Sequence, residues 1–212
     1  MPIMHINFVT SGFPNGFTDE FVRELKKYLS SDLHFTFVAS DFSVHEKTDR
    51  YLRLFLKLFE EKGISFGKST IVDYEIAPPD AIHIIDNADV VWLAGGPTLT
   101  QIRHIKEYGL INALQKREGI TIGMSAGSIN MAKRVVLAKD LYDNVPELSI
   151  YDGIGLVDFN IEPHLDFGNK EHIEDIVLAS KVSPIYGLYD ESFILDIDGS
   201  YSVFGEYHLF ES

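Results

Sequence analysis

The sequence predicts an α/β fold in a single domain spanning residues 1–212, with a mostly parallel sheet sandwiched by helices and antiparallel hairpins at the C-terminal end. Three observations carry this expectation. Short apolar runs alternate with stretches of helical period along most of the chain. Glycine-rich turns fall where the apolar runs end. The 212 residues are 45% hydrophobic, 12% aromatic and 24% charged, which suits one buried core and excludes a disordered chain. Parallel neighbours need crossovers long enough to hold a helix, so alternation implies a sheet covered on both faces.

The elements follow in order. Residues 5–9 read as a buried strand, 11–16 as a turn, and Phe21, Val22, Leu25, Tyr28 and Leu29 as one stripe of a helix. Residues 34–39 form a second strand, and 51–62 an apolar helix that stops at Gly63. Strands are expected at 69–74, 90–93 and 120–124, with a helix over 99–116 whose Ile102, Ile105, Ile111 and Leu114 share a face. A strand over 156–161 and a helix over 170–179 come next. Residues 185–189, 193–196 and 201–204 read as short antiparallel strands, with Asp198-Gly199 as a two-residue turn.

Eighteen Lys and Arg against 32 Asp and Glu leave a formal charge of -14, so neither nucleic acid nor a membrane surface is an expected partner. The absence of cysteine excludes disulfides, thiolate metal sites and a cysteine nucleophile. The opening residues carry neither a basic leader nor a long apolar core, and apolar stretches elsewhere are interrupted by charge or glycine. A soluble cytoplasmic protein is the expectation.

The segment that carries chemistry is Gly123-Met124-Ser125-Ala126-Gly127, a G-x-S-x-G placed between an apolar strand and a helix. A serine on such a turn is held out from the sheet, needs small neighbours, and has the next backbone N–H ready for a developing oxyanion. A simple tight turn or a phosphate-binding loop is the alternative. A second set of donors is offered by Ala94-Gly95-Gly96-Pro97-Thr98 at the end of the strand 90–93. Pro97 has no N–H, which leaves Gly95 and Gly96.

A serine nucleophile needs a base. Of the three histidines that follow it, His164 is best placed, at the C-terminal end of a strand, where parallel sheets put their ligands. His172 reads as a solvated helix residue and His208 as part of a peripheral hairpin. The base needs a carboxylate on its other ring nitrogen. Asp190 and Glu191 are candidates, and adjacent residues on an extended segment point to opposite faces, so one of them serves. Asp140 is the weaker candidate.

Taken together, Leu93 to Thr98, Gly123 to Ser128, Glu162-Pro163-His164 and Gly187 to Glu191 resemble the serine peptidase family of dipeptidase E, the aspartyl dipeptidase, and cyanophycinase. The resemblance runs from the first strand to about Glu191. It implies a fold like the class I glutamine amidotransferases, of flavodoxin-like type, with serine in place of their cysteine. It also implies a Ser-His-acidic triad working without metal or cofactor: Ser125 as nucleophile, His164 as base, Gly96 and Ala126 as oxyanion donors. The third member falls on Asp190, where the pattern usually has Glu, with Glu191 in reserve. Pro97 stands where the pattern commonly has a polar residue. No arginine follows His164, and Lys170 is the nearest cation, a point charge and not a fork.

The expected activity is therefore hydrolysis of small peptides by a dipeptidase-like serine exopeptidase, as monomer or homodimer, with no metal. Two alternatives stand beside it. An α/β-hydrolase-type esterase would use His208 as base, and a catalytically lapsed homologue would bind a small metabolite.

Overall fold

Strand alternation sorts the core of the computed structural model, which describes residues 4–211, into two layers. The strands β1 (His5–Thr10), β2 (His34–Val38), β3 (Lys68–Val72), β4 (Val90–Leu93) and β5 (Gly119–Met124) are separated by α1 (Asp19–Lys26), α2 (His45–Glu61), α3 (Pro78–Asp86), α4 (Thr98–Glu107) and α5 (Ile111–Lys116). Phe35, Phe37, Val90, Trp92, Ile120 and Ile122 point to one face and pack with the aromatic side chains of α1 and α2. Val38, Val91 and Leu93 point to the other, against α3, α4 and α5.

The short α6 (Ala126–Asn130) follows β5, and then β6 (Arg134–Leu137), β7 (Ser149–Asp152), β8 (Asn160–Glu162), α7 (Lys170–Ser180), β9 (Ile185–Leu188), β10 (Phe193–Ile197), β11 (Ser200–Phe204) and β12 (Tyr207–Phe210). The main sheet has the order β11-β10-β1-β5-β4-β2-β3. The run β1-β5-β4-β2-β3 is parallel throughout, and β10 and β11 extend it antiparallel beyond β1. This is the α/β class that the alternation predicts, in the flavodoxin-like form that the family resemblance implies. A smaller sheet, β12-β9-β8, and α7 share a third apolar cluster with Ile176, Ile185 and Phe210.

Several elements differ from the sequence expectation. The helix expected over 99–116 is two helices, broken at Tyr108-Gly109, where Gly109 takes φ 69°. The helix expected from residue 51 begins at His45, because its polar first turns lie beyond the reach of an apolar-stripe argument. α3, opened by Pro78 and Pro79, has no strong apolar stripe to announce it. The strand expected over 156–161 keeps only Asn160–Glu162, since the N–H groups of Leu156 and Val157 turn to the Met131 carbonyl. β9 forms no hairpin with β10; it pairs parallel with β8 and antiparallel with β12. The Asp198-Gly199 turn does join β10 to β11, both residues at positive φ (49° and 84°), as a mirror-image type I turn requires. Among the described residues no helix is long and apolar enough to cross a membrane.

Candidate active site

The loops leaving the C-terminal ends of β1, β2, β4 and β5 meet at one edge of the sheet, on either side of the β2/β4 switch in strand order. Ser125 stands there, directly after β5, at φ 51° and ψ -113°. A side-chain-bearing residue rarely adopts this backbone, and its surroundings hold it there. The Ser125 N–H donates to the carbonyls of Thr10 and Ser11, both at 3.0 Å, and its own carbonyl accepts from Ile129 at 3.0 Å. Ser128 clips α6 to β1: its hydroxyl donates to the Thr10 carbonyl at 2.7 Å and accepts the Thr10 N–H at 2.8 Å. Gly127 lets α6 sit against β4, because a Cβ there would run into the Leu93 carbonyl oxygen.

His164 and Asp190 complete a row with Ser125. His164 Nε2 lies 3.0 Å from Ser125 Oγ, and His164 Nδ1 lies 2.6 Å from Asp190 Oδ1. His164 itself takes φ 55°, just past β8, and its N–H donates to the Ser11 hydroxyl at 2.7 Å. That hydroxyl has two acceptors within reach, the Leu188 carbonyl at 3.2 Å and Asp190 Oδ1 at 3.4 Å. Gly12 passes under the imidazole so closely that a Cβ would stand 2.7 Å from His164 Cε1. The His164 and Asp190 side chains are about half exposed (51% and 42%), so the row is open to an incoming substrate.

Gly95, Gly96 and Ala126 flank Ser125. A Cβ on Gly95 would lie 3.5 Å from Ser125 Cβ, and Gly96 has φ 139°, with a would-be Cβ pressed onto Ser40. Among the described residues the Ala126 N–H has no protein acceptor, as an oxyanion donor requires. The glycine loop is pinned from behind. Gln101 donates to the Ala94 carbonyl at 2.8 Å, Asn130 to the Thr98 carbonyl at 3.0 Å, and the Thr98 hydroxyl to Asp143 at 2.6 Å.

Other sequence candidates lie elsewhere. Glu191 sits at φ 70° and takes a hydrogen bond from Asn15 at 2.8 Å, turned away from His164. Asp140 accepts from the Tyr142 N–H at 2.8 Å in its own loop. Lys170 opens α7, exposed, and does not line the cavity beside Ser125. His208 packs on Phe167 and Phe210. His172 is no solvated helix residue: it is partly buried, with Nε2 3.2 Å from the buried Glu162 and Nδ1 3.2 Å from the Lys139 carbonyl. The hydrogen bond to Glu162 pushes His172 up, and burial pushes the Glu162 carboxyl up, so the pair retains a proton to higher pH than either group alone.

A cavity of about 350 Å³ opens beside Ser125 and His164, walled by α2 and the glycine loop. Sequence reading did not find Ser11, Gly12 or the α2 residues of this wall. Ser11 and Gly12 did carry a signal, since they follow β1 on the ligand-binding edge. Among the described residues no three His, Asp or Glu side chains converge as a metal site.

A serine on a strand-to-helix elbow, with His and Asp in a row behind it, is the arrangement of a serine hydrolase. The model of peptidase family S51 matches residues 15–204, and the chain belongs to that family; it is a serine peptidase. Two solved structures share the fold. A candidate peptidase E protein from Listeria monocytogenes EGD-e is 19% identical, with TM-score 0.70 over 94% of this chain and 98% of that one. A peptidase from an acI-B1 Actinobacterium is 14% identical, with TM-score 0.65 over 99% and 91%. Comparison with curated proteins finds no match.

Proposed function

We propose that the chain is a dipeptidase-like serine exopeptidase that hydrolyses small peptides through Ser125, His164 and Asp190. The observation that carries the reading is the row itself: Ser125 Oγ to His164 Nε2 at 3.0 Å and His164 Nδ1 to Asp190 Oδ1 at 2.6 Å. Asp190 accepts a hydrogen bond from the Nδ1–H, which keeps that proton on Nδ1 and leaves Nε2 bare to receive the proton of Ser125. Ser125 Oγ then bonds to the substrate carbonyl carbon, and negative charge develops on the carbonyl oxygen against the N–H groups of Ala126 and Gly96, with Gly95 holding the loop close. His164 passes its proton to the leaving amine, the C–N bond breaks, and an acyl-serine remains. Water, deprotonated by the same nitrogen, releases the acid and restores Ser125.

The aspartate where the family pattern has Glu fits this role here, because the loop after β9 brings it within 2.6 Å of the ring. The test is amine release from a dipeptide library. Ser125→Ala should lower kcat by at least about 1,000-fold, and Asp190→Asn, which keeps the shape and reverses the tautomer, by a comparable factor. Equal turnover in native protein and Ser125→Ala would contradict the reading.

A further inference from the structure

We propose that the cavity beside Ser125 receives the side chain of the residue whose carbonyl is attacked, and that it selects an apolar side chain of leucine to phenylalanine size over an acidic one. This rests on the serine-peptidase reading above and names the substrate class for the same site.

Ser125, His164, Gly95 and Gly96 form one wall of the cavity, so a carbonyl held at the glycine loop has its own side chain facing the remaining space. That space is built by Thr48, Tyr51 and Phe55 on one face of α2, continued by the N-cap residue Val44, together with Phe37 and Met124.

The floor carries no charge. Phe37, Phe55 and Ala94 are buried (1%, 5% and 6% exposed), and the buried Thr48 hydroxyl is already directed to the Val44 carbonyl at 3.3 Å. A carboxylate brought to this floor would shed its water and meet no cation, which is costly, whereas an aliphatic or aromatic side chain would gain the burial. The two charged residues of the wall, Lys47 and Asp41, are of opposite sign. Lys47 is exposed, and Asp41 is held ionised by the Ser43 N–H and hydroxyl at 2.9 and 2.7 Å, so the rim presents no net cation to reward an acid.

The test uses diphenyl α-aminoalkylphosphonates bearing the side chains of Ala, Leu, Phe, Asp and Lys, with covalent addition to the full-length chain followed by intact mass. A plain fluorophosphonate reports the serine independently of any side chain. Leu and Phe esters are expected to add at least about tenfold faster than the Ala ester, and the Asp ester slower than Ala. Tyr51→Ala, whose side chain is half exposed in the wall, should shrink the Phe-to-Ala ratio. Val44→Asp, on the exposed end of the same stripe, should do the same if Tyr51→Ala fails to fold. The Asp ester adding fastest, with that advantage lost in Lys47→Ala, would overturn the proposal and assign the pocket to acids. Equal rates for all esters with normal fluorophosphonate addition would overturn the pocket alone. No fluorophosphonate addition would overturn the serine reading and the pocket with it.

Discussion

The Ser11 hydroxyl accepts the backbone N–H of His164 at 2.7 Å, from a loop more than 150 residues away in sequence. The same loop takes the Ser125 N–H on the carbonyls of Thr10 and Ser11 at 3.0 Å, and the Glu191 N–H on the Gly12 carbonyl at 2.7 Å. The three segments that bring serine, histidine and aspartate together are thus each tied to the end of β1. The geometry of the row depends on this loop as well as on the row's own members.

Ser11→Ala removes the acceptor of the His164 N–H without changing the shape of the loop. One such bond is worth about 1 kcal/mol, so kcat should fall by roughly fivefold with KM little changed. Ser11→Thr, which restores a hydroxyl, should recover much of the loss. Steady-state kinetics of the three proteins check this; a kcat unaffected by Ser11→Ala would separate this bond from catalysis.

Gly12→Ala should damage the site more than the fold. Gly12 is not among the glycines at positive φ, so an alanine backbone fits there. Its Cβ would stand 2.7 Å from His164 Cε1 and 3.0 Å from Asp190 Oδ1, forcing the ring out of line. A displacement of this kind costs about 100-fold in rate. The expected result is a melting temperature near that of the native protein with activity almost lost.

Gly127→Ala should act on stability. Its Cβ would meet the Leu93 carbonyl oxygen and come within 2.8 Å of Leu93 Cβ, both in the close-packed centre of the molecule. Forcing α6 off β4 should cost at least about 1–3 kcal/mol, read as a lower denaturation midpoint in urea.

Stability should also decline from mildly acid to alkaline pH. His172 holds its proton more tightly folded than unfolded because it is hydrogen-bonded to Glu162, and His45 does so because of Asp73. A contribution of this sign is fully present below the ordinary value of 6.5 and is lost as pH rises through the raised folded value. Glu162, pushed up by burial, acts with the same sign. His172→Asn should flatten the fall in melting temperature between about pH 6 and 9, with the His45 part remaining. An unchanged slope would mean that the Glu162 pair does not titrate with unfolding.

The sheet was legible because its strands are short apolar runs cut off by glycine and charge, and the row was legible because Ser125, His164 and Asp190 each follow such a run. Boundaries failed where tertiary partners decide them. The polar first turns of α2 precede its apolar stripe, with His45 bonded to Asp73 from the loop after β3. Residues 156–157 bond to Met131, which no local pattern announces. The family resemblance put the third member on Asp190 with Glu191 in reserve; only the backbone shows that Glu191, at φ 70°, turns its carboxylate to Asn15. The pocket wall was hidden because its residues on α2 read as an ordinary amphipathic stripe.

Activation of Ser125 by His164 is the step on which the chemistry proposed for this site depends. Intact-protein mass after treatment with a fluorophosphonate tests it most directly, with Ser125→Ala and His164→Ala beside the native chain. One adduct is expected on the native protein, none on Ser125→Ala, and greatly slowed addition to His164→Ala. An unmodified, well-folded native protein, or addition to Ser125→Ala at the native rate, would contradict it.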